Sequence, residues 1–368
     1  MPKNPKFKIF EKKVGNETSY VAGIPGYPNN FTRDVLISAF LANNMDMLSS
    51  QIDISYSYQS EKENQYDGAE VGKIHHEFPG IMLRQNLITT YNACDTTALF
   101  LMAIERLLLD DRQLSDEKLS SLKTSTKICV DYIKNHLKDS IFWEFPPSDA
   151  TEFALLTTYW KDSILPLTSE NGEPDYPIAY GLAHFINARG ILAASKILDN
   201  VELMNLADEM FKKGIKKFIT EKSYRIFEDK SGFLKQPSSD ELHSLAYIPL
   251  DYKELLPIEY MLSRSKSLTT EAGIACNPKD IGEKLHDKYH GYVVWIFEQA
   301  LINYGCRKFG IVGIDEITRR CIPYIGEGTE LIGIIPEITL LGNKQQLWSV
   351  AAQVFFSNNY YYQSLTWL

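Results

Sequence analysis

The 368-residue sequence holds only five cysteines, and none is placed where metal or disulfide chemistry would need it. Cys94, Cys129, Cys276, Cys306 and Cys321 are scattered, odd in number and never form C-x-x-C. That excludes a zinc module and a disulfide framework, and reads as buried, reduced thiols of a cytoplasmic protein. No apolar run approaches the ~18 residues that span a bilayer, so no membrane partner is expected. The opening stretch MPKNPKFKIFEKK is basic but lacks the apolar core and cleavage site of a secretory signal. Basic residues are outnumbered 38 to 47, for a net charge of −9. An acidic chain repels phosphate backbones, so nucleic acid is not an expected partner. There is no long Pro/Gly/Ser linker and no fixed-period repeat, which excludes a helical-repeat solenoid. Residues 220–240, with Gly232, Pro237, Ser238 and Ser239, form the loosest stretch and read as a loop. The expected organisation is a lead-in at 1–20 followed by one domain over 21–368.

What the chain does have is helical periodicity and aromatic rings. With 44% hydrophobic residues, 12% of the chain being aromatic, it can bury a large core. In VELMNLADEMFKKGIKKFI, Leu203, Ala207, Met210, Phe211, Ile215 and Phe218 recur at three- and four-residue steps. Asp208, Glu209, Lys212 and Lys216 take the other face, which predicts an outer helix. YPIAYGLAHFINARGILAASKIL has almost no charged face and predicts an inner, doubly buried helix. Sorting the chain this way places inner helices near 33, 91, 178, 242, 290 and 345. Outer ones begin near 45, 118, 203, 258 and 314; a twelfth is not evident. The chain is therefore expected to be all-α.

Polar and aromatic clusters stand at the heads of the inner helices. They are GYPNNFTRD, YNACD, TTYWKDS with PDYPIAY, DKYHGYVVW, and PEIT with QQLWS. If the inner helices run parallel, these heads converge at one end and form a concave site. Adjacent His75, His76 and Glu77 resemble a metal cluster, but neighbouring residues on a strand point apart and no third ligand is evident. No metal and no cofactor are expected.

Seven motifs occur in order: FTRD (31–34), GKIHHE (72–77), YNACDTTALF (91–100), YWKDS (159–163), YHGYVVW (289–295), PEIT (336–339) and QLWSVA (346–351). Each is weak alone. Together they resemble the amylo-α-1,6-glucosidase domain of glycogen debranching enzymes and related toroid glycosidases, over residues 20–358. The resemblance implies an (α/α)6 toroid, a six-hairpin glycosidase-like fold, and an inverting exo-glycosidase that hydrolyses an α-glucosidic bond. Glycogen and a small glucoside both remain open as substrate.

Such hydrolysis needs one protonated carboxyl group and one ionised one. By the resemblance, Asp162 is the general acid and Glu337 the general base. Tyr159 and Trp160 would shield Asp162 and raise its pKa; the alternative is a turn or cap aspartate ahead of Pro166. Glu337 lies in the apolar run GIIPEIT, where an ionisable group either reaches a polar cavity or belongs to a surface loop. Arg33 and Asp34 match a pair in which the aspartate holds the terminal sugar and enforces exo action; an ordinary salt bridge with a helix cap is the rival. Glu77, Asp95, Tyr289, His290 and Trp295 complete the implied pocket, although a buried histidine is as often structural. Lys161 departs from the family, which has a small or apolar residue there, and its charge suggests an anionic aglycone such as a glycerate or phosphate. Ile296 stands where proline is common. Two further readings stay open, a glycoside phosphorylase and a carbohydrate-binding toroid without catalysis.

Overall fold

The computed structural model describes residues 5–358 apart from 15–16, 85, 111–113, 146–153, 156, 164–174, 286 and 335–336. Helices dominate. They are α1 (Thr32–Ala42), α2 (Met45–Ser57), α3 (Thr96–Leu108), α4 (Asp116–Asn135), α5 (Gly181–Leu198) and α6 (Val201–Phe218). The second half adds α7 (Asp240–His243), α8 (Ile258–Ser265), α9 (Lys279–Leu285), α10 (Ile296–Lys308), α11 (Ile314–Arg319) and α12 (Leu347–Ser357). None among the described residues is long and apolar enough to cross a membrane.

The packing order closes on itself. α1 packs on α3, α3 on α5, α5 on α7, α7 on α10, α10 on α12, and α12 returns to α1. Apart from the short, acidic α7, these are the charge-poor helices. Residues 181–191 of α5 are buried without a break, whereas α6 buries only Leu203, Ala207, Met210, Phe211, Gly214, Ile215 and Phe218. α6 is delimited as an exposed helix should be: the Asn200 side chain accepts the Leu203 N–H at 3.0 Å, and Lys216 and Lys217 occupy the last turn. Inner neighbours approach closely where side chains are small. A Cβ added at Gly190 of α5 would lie 2.7 Å from the Ala98 Cβ on α3.

No twelfth long helix stands opposite α12 among the described residues. There the 3₁₀ turn Pro5–Phe10 packs on α12, with Phe7 and Phe10 buried. The strand Glu17–Tyr20 packs on α2, so the lead-in is part of the core. Residues 220–240, expected as loop, contain the hairpin Arg225–Asp229 with Gly232–Lys235, and it pairs with Ala179–Tyr180. Asp229 Oδ1 accepts the N–H groups of Ser231 and Gly232, and Gly232 has φ +124°, so turn chemistry closes the hairpin.

Short strands of two or three residues lead into the inner helices and fix their heads. Asn30–Phe31 pairs with Glu77–Phe78 ahead of α1, and Gln345–Gln346 pairs with Gly23–Ile24 ahead of α12. Val293–Trp295, ahead of α10, forms an antiparallel sheet with Leu331–Gly333, which pairs in turn with Thr339–Leu341. All five cysteines are buried and unpaired.

Candidate active site

A cavity that opens to solvent lies at the heads of the inner helices, the concave placement that ligand sites favour. α1 contributes Arg33 and Asp34, the segment between α4 and α5 contributes Trp160 and Asp162, and the segment ahead of α10 contributes Tyr289, His290 and Trp295. Glu330, Gln346 and Trp348 also line it, together with Tyr27, Phe31 and the buried His76.

Asp162 follows a segment that is neither helix nor strand. Its side chain keeps 35% of its surface open, yet burial of the carboxyl raises its pKa to about 6. Arg33 pulls the other way, while Asp287 and Glu330 add repulsion. A carboxyl group with that pKa holds a proton for much of the time near pH 6. His290 Nδ1 is 3.9 Å from Asp162, but burial holds the imidazole pKa well below its ordinary value. The ring is therefore neutral and makes no ion pair. Ser163 fixes it: its Oγ lies 2.6 Å from His290 Nδ1 and donates to Asp287 at 2.7 Å. His290 stacks on Trp295, whose Nε1 donates to the Tyr289 carbonyl at 2.8 Å.

Glu330 is the carboxylate on the other side. Tyr289 donates its O–H to Oε1 at 2.5 Å, and the Asn343 N–H donates to Oε2 at 2.6 Å. Burial nevertheless raises its pKa. Asp34 makes the third acidic group. Burial, with Glu330 and Asp162 adding to it and Arg33 opposing, pushes Asp34 up to about 8. Gln346 Nε2 donates to its Oδ1 at 3.1 Å. Arg33 forms a fork on Asp95, at 2.8 and 2.9 Å, and gives a further bond to the Thr158 carbonyl at 3.1 Å.

The cavity thus gathers Arg33, Asp34, Trp160, Asp162, Tyr289, His290 and Trp295 from the sequence-based set. It does not include the other five, Glu337 among them. Glu337 is exposed and does not line the cavity. The reason is strand direction. Trp295 pairs with Leu331 at the cavity end of the small sheet, whereas Gly333 pairs with Thr339 at the far end. At about 3.3 Å per residue, the turn carrying Glu337 is ~10 Å beyond Glu330. Glu77 is also turned away, accepting from Asn29 at 3.0 Å and Thr89 at 2.6 Å. Asp95 stands behind Arg33. Tyr159 stacks on Tyr180 and reaches Asp240 at 3.5 Å. Lys161 is wholly buried behind the cavity, so it faces no aglycone.

Glu330, Gln346, Tyr27 and Trp348 were given no site role from sequence, and His76 was weighed only as a metal ligand. For Glu330 a signal existed: in GTELIGIIPEIT two glutamates flank one apolar run, and both deserved equal weight. Asp240, His243 and Glu298 bring possible metal ligands within reach of one another. The Lys161 ammonium, however, is 3.0 Å from Asp240 and already supplies a cation there. Those residues do not fit a metal ion.

No family model and no curated protein matches the sequence. Solved structures do. A GH63 mannosylglycerate hydrolase from Thermus thermophilus in complex with glucose has TM-score 0.65 at 10% identity, covering 96% of this chain and 98% of that one. The same enzyme with Tris and D-glycerate gives 0.61 at 11% identity, with coverages of 96% and 98%. A glycosidase variant in complex with glucose gives 0.59 at 12%, with coverages of 98% and 94%. These are glycosidases, one of them GH63, rather than the debranching domain that the motifs resemble. The likeness is one of fold, which this chain shares over nearly its whole length with these α-helical glycosidases.

Proposed function

We propose that the chain is an inverting exo-glycosidase acting on the α-glucosidic bond of a small glucoside, with Asp162 as general acid and Glu330 as general base. In this reading residues 21–368 form one (α/α)6 catalytic domain of a cytoplasmic enzyme that needs no cofactor. The observation that carries it is a pair of carboxyl groups in one cavity with different environments. Asp162 has a pKa raised to about 6 and few hydrogen bonds to hold it ionised. Glu330 is oriented by two donors, Tyr289 and Asn343.

Asp162 gives its proton to the departing glycosidic oxygen. Glu330 draws a proton from water on the opposite face of the ring. Asp34 and Gln346 bind hydroxyls of the terminal sugar, and Trp295 and Trp348 contribute to the apolar part of the wall around it. Glu330 takes over the role first given to Glu337, which is exposed. A phosphorylase would use phosphate in place of activated water and would have no need for an oriented base. NMR of the first product tests the reading. Inverted anomeric configuration without any phosphate requirement is expected. Retained configuration, or turnover only with phosphate, would refute it.

A further inference from the structure

We infer that Asp240 is a positioning residue that holds the acid-bearing segment in place; the inference rests on Asp162 being the general acid. Three consecutive residues ahead of Asp162 converge on this one buried carboxylate. Tyr159 Oη reaches it at 3.5 Å, Trp160 Nε1 donates to it at 2.9 Å, and Lys161 Nζ lies 3.0 Å away. Asp240 is 1% exposed and Lys161 is fully buried. The ammonium also donates to Ser238 Oγ at 3.0 Å, Ser239 Oγ at 2.8 Å and the Cys276 carbonyl at 3.3 Å. Residues 157–161 belong to no helix or strand, so no backbone ladder fixes where residue 162 emerges. Side chains must do it. Trp160 carries the effect into the cavity, since it lines the wall and meets His290 edge-on at 5.4 Å. The departure at Lys161 is thereby explained: its charge serves Asp240, not the substrate.

Asp240→Asn keeps the shape and removes the charge that balances Lys161. A small displacement of the acid should cost about a hundredfold in kcat on an alkyl glucoside. A glycosyl fluoride needs little protonation, so its turnover should fall far less. A merely structural defect would lower both substrates equally through the folded fraction. The double variant Asp240→Asn/Lys161→Met leaves no unpaired charge and should fold if the single one does not. It should show the same asymmetry, because the segment is no longer tied to Ser238 and Ser239. Equal losses on both substrates, or unchanged kcat, in the folded variant would overturn the inference. Asp162→Asn serves as reference: if it lacks the asymmetry while turnover is otherwise normal, the acid assignment fails instead. A crystal structure of the folded variant gives a readout free of activity. Asp162 should be displaced, and an unmoved Asp162 would refute the role of Asp240.

Discussion

Replacing Glu330 by Gln deletes the proposed base while keeping its volume. Loss of general base help is typically a factor of about 10²–10⁴, or roughly 2.7–5.4 kcal/mol of barrier. The structural cost can be weighed against this. The carboxylate accepts from Tyr289 at 2.5 Å and Asn343 at 2.6 Å. A Gln side chain can offer oxygen to only one of them and sets an N–H₂ against the other, which costs on the order of 1–3 kcal/mol. Against that, burial already disfavours the charged form of Glu330, so removing the charge returns part of the loss. The variant should remain folded, since domain stabilities are about 5–15 kcal/mol. Glu337→Gln makes the control. At an exposed position it should change stability by less than ~0.5 kcal/mol and leave turnover alone. The assay is initial-rate release of free sugar, run beside thermal unfolding of each variant. Normal turnover in Glu330→Gln, or its loss in Glu337→Gln, would refute the assignment and the strand-register reasoning behind it.

The acid limb gives a second expectation. With Asp162 at about 6, kcat/KM should fall roughly tenfold per pH unit above that value, because only the protonated form donates; a flat profile from pH 6 to 8 would exclude Asp162 as acid. Asp34→Asn should weaken sugar binding but raise stability. The folded pKa is about 8 against 3.8 unfolded, so the contribution of the protonated form is full below pH 3.8 and lost as pH rises through 8. Up to ~1.4 kcal/mol per pH unit is at stake across that window. Thermal unfolding should show the variant gaining on the wild type as pH rises, and a pH-independent gap would contradict it. Gly190→Ala, whose Cβ would meet Ala98 at 2.7 Å, should destabilise by about 1–3 kcal/mol through overpacking of α3 on α5; an unchanged unfolding midpoint would refute this.

Most of the helical scaffold was legible because period 3.6 survives in long segments. α6 shows Leu203, Ala207, Met210, Phe211, Ile215 and Phe218 on one side, all of them buried. The expected inner-helix starts at 33, 178 and 345 fall within three residues of Thr32, Gly181 and Leu347. The strands that lead into the inner helices were not legible, since two or three residues cannot display an alternation. That gap hid which of two glutamates lines the cavity. Glu330 and Glu337 flank the same apolar run, and only the pairing of Leu331 with Trp295 decides which faces the cavity. Lys161 was misjudged for a related reason. Its partners Ser238, Ser239 and Asp240 are nearly eighty positions away, and no local pattern announces contacts of that kind.

The cavity's electrostatics turn on how Arg33 is restrained. Asp34, Asp162 and Glu330 are three acidic groups in one cavity, and Arg33 lowers the pKa of the first two. An unrestrained guanidinium would make a bidentate pair with one of them and hold it ionised. Asp95 prevents that by accepting the fork at 2.8 and 2.9 Å, and the Thr158 carbonyl takes a further bond. Arg33 then acts on the cavity by charge alone, at a distance, while burial keeps Asp162 near 6. The helix heads assist in the same way. Asp34 lies in the first turn of α1, and Trp295 and Gln346 immediately precede α10 and α12, so three positive helix ends face the acidic groups. Glu330 draws its support in the ionised form from the Tyr289 and Asn343 donors, while the restraint on Arg33 leaves Asp162 without a directly bonded cation. The proposed role of Asp162, which would pick up and release a proton in every turnover, requires that separation.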